Sequence, residues 1–247
     1  MKIIVEKNYE DVSRRGAEIF IEQIQSKNPV NLGLATGGTP VGLYKRLIEW
    51  AKEENVDLSH VTTFNLDEYI GLSKDDPNSY YYFMKENLFD ALNLKEDQTF
   101  LPDGQATDIE EECRAYEQLI SDKGGIDLQL LGVGVNGHIA FNEPGTDFSG
   151  KTQKVKLEES TREANSRFFD SMDDVPTHAI TMGISTILEA KEILLIANGK
   201  NKSEAIYQLV EGKQSEDWPI TALQSHDNVT VIVDEEAAEL LDEKYKK

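Results

Sequence analysis

Several functional classes need residues that this 247-residue chain has in short supply. It has one cysteine, Cys113, which excludes an internal disulfide and a cysteine-based metal site. Basic residues are also few, because 25 Lys and Arg stand against 46 Asp and Glu, for a formal net charge of −21. A surface this acidic repels nucleic acid and anionic lipid headgroups, so we expect neither as a partner. A small phosphorylated molecule stays compatible with this charge, because a pocket can be locally positive.

Long apolar runs are missing as well. No stretch reaches the roughly 18 to 20 apolar residues of a membrane span. Residues 1–5 are followed at once by charged residues and not by the apolar core of a secretory signal. We therefore expect a cytoplasmic protein. The apolar share is 39% and is spread over the whole chain, which argues against wholesale disorder.

Short apolar runs alternate with segments of helical periodicity. Strands are predicted near residues 30–35, 61–66, 126–131, 178–182, 192–197 and 229–233, and helices near 11–26, 40–50, 79–92, 108–121, 183–190, 201–211 and 235–244. This alternation predicts an α/β, Rossmann-like three-layer fold, in which a mainly parallel central sheet carries helices on both faces. We predict one catalytic domain over residues 1–247, with a mobile lid at the polar, irregular residues 145–175.

Ligands of parallel α/β sheets bind beyond the carboxyl ends of the strands. Three predicted strands end in glycine-rich or polar loops, after Ala35, Leu66 and Leu131. The first loop, Thr36-Gly37-Gly38-Thr39-Pro40, joins a strand to a helix and is predicted to bind a phosphate group. The alternative for this loop is a tight turn without a ligand.

The second and third loops carry ionisable groups. Asp67 and Glu68 end one strand, and one of them is a candidate general base; the alternative is a helix cap or a surface pair. His138 lies in a glycine-rich turn five residues before Glu143, a carboxylate that can orient an imidazole. The other histidines are too far away in sequence to predict a metal site. These groups suit proton transfer on a phosphorylated sugar or carbonyl compound.

Six segments occur in order along the chain, LGLATGGTPVGLYKRL, TFNLDEYIGL, NSYYYFMKENLF, GVGVNGHIAFNEPG, TREANSRFFD and WPITALQSH. Together they resemble the glucosamine-6-phosphate deaminase family over nearly the whole length. That family converts glucosamine 6-phosphate and water to fructose 6-phosphate and ammonia, without a metal or an organic cofactor. The resemblance therefore implies a small-molecule substrate and no cofactor.

The resemblance also implies roles for individual residues. Asp67 matches the base that moves a proton between C2 and C1 of the sugar. His138 matches the residue that opens the pyranose ring, with Asn136 and Glu143 as its partners. The residues that match phosphate ligands are Thr36, Gly37, Gly38, Thr39, Arg167 and Lys202.

Two departures from the family pattern affect these expectations. Some members have Asp where this chain has Asn136, and an amide cannot pair with a positive charge on His138. Allosteric, hexameric members carry basic residues after the Glu-Pro pair. This chain has Lys151 and Lys154 in that segment, but Asp147, Gln153 and Val155 do not suit a second phosphate site. We therefore expect a non-allosteric enzyme that is a monomer or a low-order homo-oligomer.

Two other functions are alternatives to the deaminase. A 6-phosphogluconolactonase-type hydrolase would need a base for water but no proton abstraction at C2. A non-catalytic sugar-phosphate sensor would keep the phosphate loop and lose the acid–base groups. The segments Asp67-Glu68-Tyr69 and GHIAFNE favour the deaminase over the lactonase, and the presence of Asp67, His138 and Glu143 favours it over the sensor.

Overall fold

The computed structural model describes residues 1–246, except for the side chain of Phe168, so residue 247 of the predicted domain lies outside it. Its central sheet has seven strands, β1 (Lys2–Glu6), β2 (Val30–Leu34), β3 (Val61–Asn65), β5 (Thr99–Phe100), β6 (Leu128–Leu131), β9 (Glu192–Ala197) and β10 (Val229–Asp234). Every pair of neighbours is parallel, in the spatial order β1–β10–β9–β6–β2–β3–β5.

The helices are α1 (Tyr9–Ser26), α2 (Val41–Glu53), α3 (Tyr80–Met84), α4 (Ile109–Asp122), α5 (Glu159–Asn165), α6 (Ile184–Leu188) and α7 (Ser203–Glu211). All residues of β2 and β6 are buried, as are all but the first of β9. Strands covered on both faces tend to have nearly continuous apolar sequences, as residues 126–131 do. The predicted three-layer α/β fold is confirmed.

A second sheet of three antiparallel strands lies beside the first. It consists of β4 (Asp67–Tyr69), β7 (Gln153–Lys156) and β8 (His178–Thr181), with β8 in the middle. Leu66 joins the two sheets, because its N–H donates to the carbonyl of Leu34 in β2 and its own carbonyl accepts from the N–H of Met182. This connection places Asp67 directly beyond the carboxyl end of β3.

The order of the strands creates a crevice. From β2 the chain continues to β3 and β5 on one side, whereas from β6 it continues to β9 and β10 on the other. The direction of winding therefore reverses between β2 and β6, which are neighbours. Such a reversal leaves a crevice at the carboxyl edge of the sheet, and ligands of this fold class bind there.

Some sequence expectations need correction. The predicted strand at 178–182 exists as β8, but it belongs to the antiparallel sheet, and β1, β4, β5 and β7 were not predicted. The predicted helix at 79–92 is α3 followed by a π-helical turn, Lys85–Phe89. The predicted helix at 235–244 is wrong, because the chain forms successive turns there and a 3-10 helix at Glu243–Tyr245. The carboxylate of Asp234 accepts a hydrogen bond from the N–H of Ala237 where these turns begin.

Candidate active site

A cavity of about 440 Å³ opens at the carboxyl edge of the central sheet. The loops after β2, β3 and β6 line it together, with α5 and the residue Lys202 completing the wall. The predicted site residues that line it are Thr36, Gly37, Gly38, Thr39, Asp67, Asn136, His138 and Lys202. The structure thus brings the three loops singled out in the sequence into one cavity.

The loop of residues 36–39 lines part of the cavity. Gly37 has a φ of +98°, a value that favours glycine, and a side chain at Gly37 or Gly38 would extend into open space. The main chain at these two glycines is therefore accessible to a ligand. Helix α2 begins at Val41, so the positive end of its dipole lies beside the loop.

Lys202 contributes a positive charge to the same cavity. It ends the 3-10 helix Lys200–Lys202, which follows β9, and its side chain is half-buried. Burial lowers the pKa of its amino group, because an ammonium loses hydration there. A partly desolvated ammonium is best compensated by an anion, so its presence in the cavity suits a phosphate group.

Asp67 also lines the cavity and is 7% exposed. Burial, together with the neighbouring charge of Glu68, raises the pKa of Asp67 to about 8. The rings of Tyr80 and Phe141 form an apolar wall here, stacked with centroids 6.1 Å apart and an interplanar angle of 11°. The carboxyl group of Asp67 therefore has a proton affinity within reach of neutral pH, which suits a general base.

Glu68, the next residue, has a different role. Its Oε1 accepts from the N–H groups of Tyr69 (2.8 Å) and Tyr80 (3.0 Å), and its Oε2 accepts from the N–H of Tyr81 (2.9 Å). Because two of these N–H groups begin α3, Glu68 caps that helix. Of the two alternatives left open by the sequence, the cap therefore applies to Glu68, while Asp67 faces the cavity.

His138 is held by a chain of hydrogen bonds. Its Nδ1 lies 2.7 Å from Oδ1 of Asn136, and Nδ2 of Asn136 donates to Oε2 of Glu143 at 2.9 Å. Glu143 Oε2 is itself 3.5 Å from His138 Nδ1. The ring packs over Gly134, where any side chain would collide with it. Asn136 therefore makes the shorter contact with the imidazole, and Glu143 acts on it mainly through the amide.

The charge state of His138 follows from its surroundings. Burial lowers its pKa, the carboxylate of Glu143 acts in the opposite direction, and the nearby charge of Lys202 lowers it further. The net effect is a pKa below the usual value of a histidine. The imidazole is therefore neutral at pH 7 and able to accept a proton.

Helix α5 adds residues that the sequence analysis missed. Thr161 donates from its Oγ1 to Oε1 of Glu143 at 2.9 Å, and Asn165 donates from Nδ2 to the hydroxyl of Tyr69, also at 2.9 Å. Thr161, Ala164 and Asn165 all line the cavity. Their spacing of three and four residues is that of one helix face, a signal that was available in the sequence.

Arg167 is the predicted phosphate ligand that the structure does not bring to the cavity wall. It is exposed on the 3-10 helix Ser166–Phe168, and the described lining residues do not include it. Its role in phosphate binding stays a prediction. The predicted lid at 145–175 contains β7 and α5, and its mobility likewise stays a prediction.

A larger cavity, of about 720 Å³, lies between α4 and α6. It is lined by Glu117, Lys151 and Thr152 among others, and none of the predicted site residues borders it. Within residues 1–246, no three His, Cys, Asp or Glu side chains are grouped as a metal ion would require. In the same part of the chain, no helix is long and apolar enough to cross a membrane.

Known proteins similar to this chain share one family. A model of the family described as glucosamine-6-phosphate isomerases/6-phosphogluconolactonase matches residues 6–232. A glucosamine-6-phosphate deaminase from Shouchella clausii is 54% identical over 244 residues, which cover 99% of each chain. A glucosamine-6-phosphate deaminase from Thermoanaerobacter pseudethanolicus is 52% identical over 248 residues, covering 100% of this chain and 98% of the relative.

Solved structures give the same picture. One described as a monomeric glucosamine-6-phosphate deaminase has a TM-score of 0.94 and 51% sequence identity, and the match covers 97% of this chain and 100% of that one. The 6-phosphogluconolactonase from Trypanosoma brucei has a TM-score of 0.80 at 21% identity, with 98% of each chain covered. At that identity the likeness shows the shared fold alone.

Proposed function

The chain belongs to the family of glucosamine-6-phosphate isomerases and 6-phosphogluconolactonases, and from this premise we propose that it is an enzyme that converts glucosamine 6-phosphate and water to fructose 6-phosphate and ammonia. One observation carries the proposal. A single cavity combines the buried carboxyl group of Asp67, the neutral imidazole of His138 and the open loop at residues 36–39. The relatives named for this deaminase match nearly the whole chain, whereas lactonases share only the fold.

Binding comes first in the proposed mechanism. The phosphate group of the sugar lies against the main chain of residues 36–39 and the ammonium of Lys202, and Arg167 joins them from the segment that follows α5. This arrangement places the other end of the sugar between His138 and Asp67. Charge-assisted hydrogen bonds to a phosphate are among the stronger polar contacts in proteins.

Ring opening is the first chemical step. The neutral imidazole of His138 accepts the proton of the C1 hydroxyl and delivers a proton to the ring oxygen, so that the bond between C1 and the ring oxygen breaks and an aldehyde forms. Asn136 and Glu143 orient the ring of His138. The depressed pKa of His138 favours this step, because the imidazole must begin in its neutral form.

Isomerisation and loss of ammonia follow. The carboxylate of Asp67 removes the proton from C2 and returns it to C1, while one proton of the substrate's ammonium moves to the C1 oxygen, which becomes a hydroxyl. This leaves an iminium carbon at C2. Water adds to that carbon and ammonia leaves, giving the ketose. In the enzyme without substrate, the pKa of Asp67 is about 8, so its carboxyl group is protonated up to about that pH. The ammonium of the bound substrate lies nearby and favours the ionised form that the base requires.

The proposal extends to the cofactors, location, oligomeric state and regulation of the enzyme. The enzyme needs no metal or organic cofactor, acts in amino-sugar catabolism in the cytoplasm, and is a monomer or a low-order homo-oligomer without allosteric activation. The acidic and neutral residues Asp147, Gln153 and Val155 support the last point, since a second phosphate site would need positive charge there. Residues 145–175 serve as the lid.

A coupled assay for fructose 6-phosphate and ammonia tests this function. We expect equimolar release of both from glucosamine 6-phosphate, hyperbolic kinetics, and no response to N-acetylglucosamine 6-phosphate. Hydrolysis of 6-phosphogluconolactone without ammonia release from the amino sugar would favour the lactonase. Binding of the amino sugar without any turnover would favour the sensor, and a sigmoidal curve that shifts with N-acetylglucosamine 6-phosphate would contradict the expected lack of allostery.

A further inference from the structure

A tyrosine of the first helix lies behind the phosphate loop. Tyr9 is at the start of α1, and the hydrogen of its hydroxyl is shared between the carbonyl oxygens of Gly38 (3.1 Å) and Thr39 (3.0 Å). The same hydroxyl oxygen accepts from the N–H of Gly42 at 2.8 Å. One hydroxyl group thus links the end of the loop to the first turn of α2.

A second tyrosine holds the other end of the loop. Tyr44, on α2, is completely buried, and its hydroxyl donates to the carbonyl of Ala35 at 2.5 Å. It also accepts from the N–H of Ala35 at 3.2 Å. Ala35 directly precedes Thr36, so this contact fixes the point where the chain leaves β2 and enters the loop.

The middle of the loop between these two contacts consists of two glycines. Gly37 and Gly38 have no side chains that pack, and the space beside them is open. Glycine has more conformations to lose than other residues, so an unsupported glycine loop would have to be ordered by the ligand. Ordering a segment on binding weakens affinity, whereas a loop that is already ordered avoids that loss.

We propose that the hydroxyl groups of Tyr9 and Tyr44 are positioning groups that hold residues 35–42 in the shape that binds a phosphate group. Neither tyrosine is among the described residues that line the cavity, so both act through the main chain. The inference rests on the phosphate loop of the proposed function and names residues that determine its affinity. Because both hydroxyl groups contact the main chain of residues 35–42 from outside the described cavity lining, we expect them to affect binding and to leave the proton-transfer steps unchanged.

The test compares Tyr9→Phe and Tyr44→Phe with the unchanged enzyme. Binding of inorganic phosphate is measured by calorimetric titration, and KM and kcat are measured for glucosamine 6-phosphate. We expect each variant to raise the dissociation constant of phosphate and KM by about 3- to 10-fold, which is the net worth of one hydrogen bond. The value of kcat is expected to change by less than about twofold, since the hydroxyl groups do not act in the transition state.

Tyr116→Phe is the matched control. It also removes a buried tyrosine hydroxyl that donates to a strand-end carbonyl, that of Asn65 at 2.6 Å, but it leaves the loop at residues 35–42 intact. We expect its phosphate affinity to equal that of the unchanged enzyme. Circular dichroism shows which variants are folded, and Tyr9→Phe decides the question if Tyr44→Phe does not fold.

Three results would overturn the inference. They are an unchanged phosphate affinity in Tyr9→Phe, an equal loss of affinity in Tyr116→Phe, and a lack of phosphate binding by the unchanged enzyme. Phosphate titration does not depend on turnover. The unchanged enzyme and Tyr116→Phe are expected to bind phosphate more tightly than Tyr9→Phe and Tyr44→Phe. If they do, but the unchanged enzyme releases no ammonia, the proposed function fails and the role of the two tyrosines stands.

Discussion

In the proposed complex, the two ends of the sugar meet residues that are held in different ways. The phosphate end lies against the loop of residues 36–39 and Lys202, all of which line the cavity. The proton-transfer end lies between Asp67 and His138, and His138 is hydrogen-bonded to Asn136, which donates in turn to Glu143. The loop is fixed by where a strand ends and a helix begins, and the imidazole by a chain of side-chain hydrogen bonds. Changes at the first should therefore alter KM, and changes at the second should alter kcat.

Replacing the base gives the largest expected effect. Asp67→Asn keeps the size of the side chain but removes its ability to accept the C2 proton. We expect kcat to fall by about 10²- to 10⁴-fold, the usual worth of a positioned general base. KM should change little, because the phosphate end is intact. Steady-state ammonia release measures both values, and near-normal turnover would show that another group is the base.

A change at the phosphate end should give the opposite pattern. Lys202→Met removes the positive charge and keeps most of the length of the side chain. We expect KM to rise by about 10- to 100-fold, the range for a charge-assisted hydrogen bond. The matched control is Lys200→Met, since Lys200 lies on the same 3-10 helix but is exposed and paired with Glu239 at 3.1 Å. Equal effects of the two variants would contradict a specific contact between Lys202 and the phosphate group.

Asn136→Asp sharpens the account of the proton-transfer end. A carboxylate would then lie next to Nδ1 of His138, where the amide oxygen now lies at 2.7 Å, and it would raise the pKa of the imidazole. In the unchanged enzyme that pKa is below its usual value. Because only the neutral imidazole accepts the proton, we expect the acid limb of the kcat/KM profile to move to higher pH by about one unit. An acid limb that does not move would indicate that His138 is not the group that titrates.

Thr161→Val gives the smallest expected effect. It removes the hydroxyl that donates to Glu143 and preserves the shape of the side chain. We expect kcat to fall by about 3- to 10-fold, with KM nearly unchanged, as for the loss of one hydrogen bond. Thr177→Val is the control, since the Thr177 hydroxyl contacts His178 instead. A rise in KM without a fall in kcat would place Thr161 with the binding groups.

The place of the site could be predicted from the sequence because it follows from a few local features. The predicted strands before Thr36 and Asp67 are short, and each leads into a glycine-rich or polar segment. In a parallel sheet such ends meet at one edge, so the loops had to lie together. The histidine turn followed from the same argument, since His138 comes soon after β6.

Other features depend on partners that are distant in the chain. Asp67 and Glu68 are adjacent, and only the position of α3 shows that the N–H groups of Tyr80 and Tyr81 belong to Glu68. The short strand β4 is defined by its pairing with β8, more than 100 residues later. The helix expected at 235–244 has good helix-forming residues, but tertiary contacts override that preference. The chain there forms turns, and these turns bury Ala237 and Leu241.

The burial of Asp67 has a consequence for folding. In the unfolded chain this carboxyl group loses its proton near pH 4, whereas in the folded protein it keeps the proton up to about pH 8. Between these values the unfolded state binds fewer protons, so the free energy of unfolding falls as the pH rises, and the loss is complete above pH 8. The wall of Tyr80 and Phe141 that prepares the base for catalysis therefore lowers the stability of the protein at the pH where the base is needed.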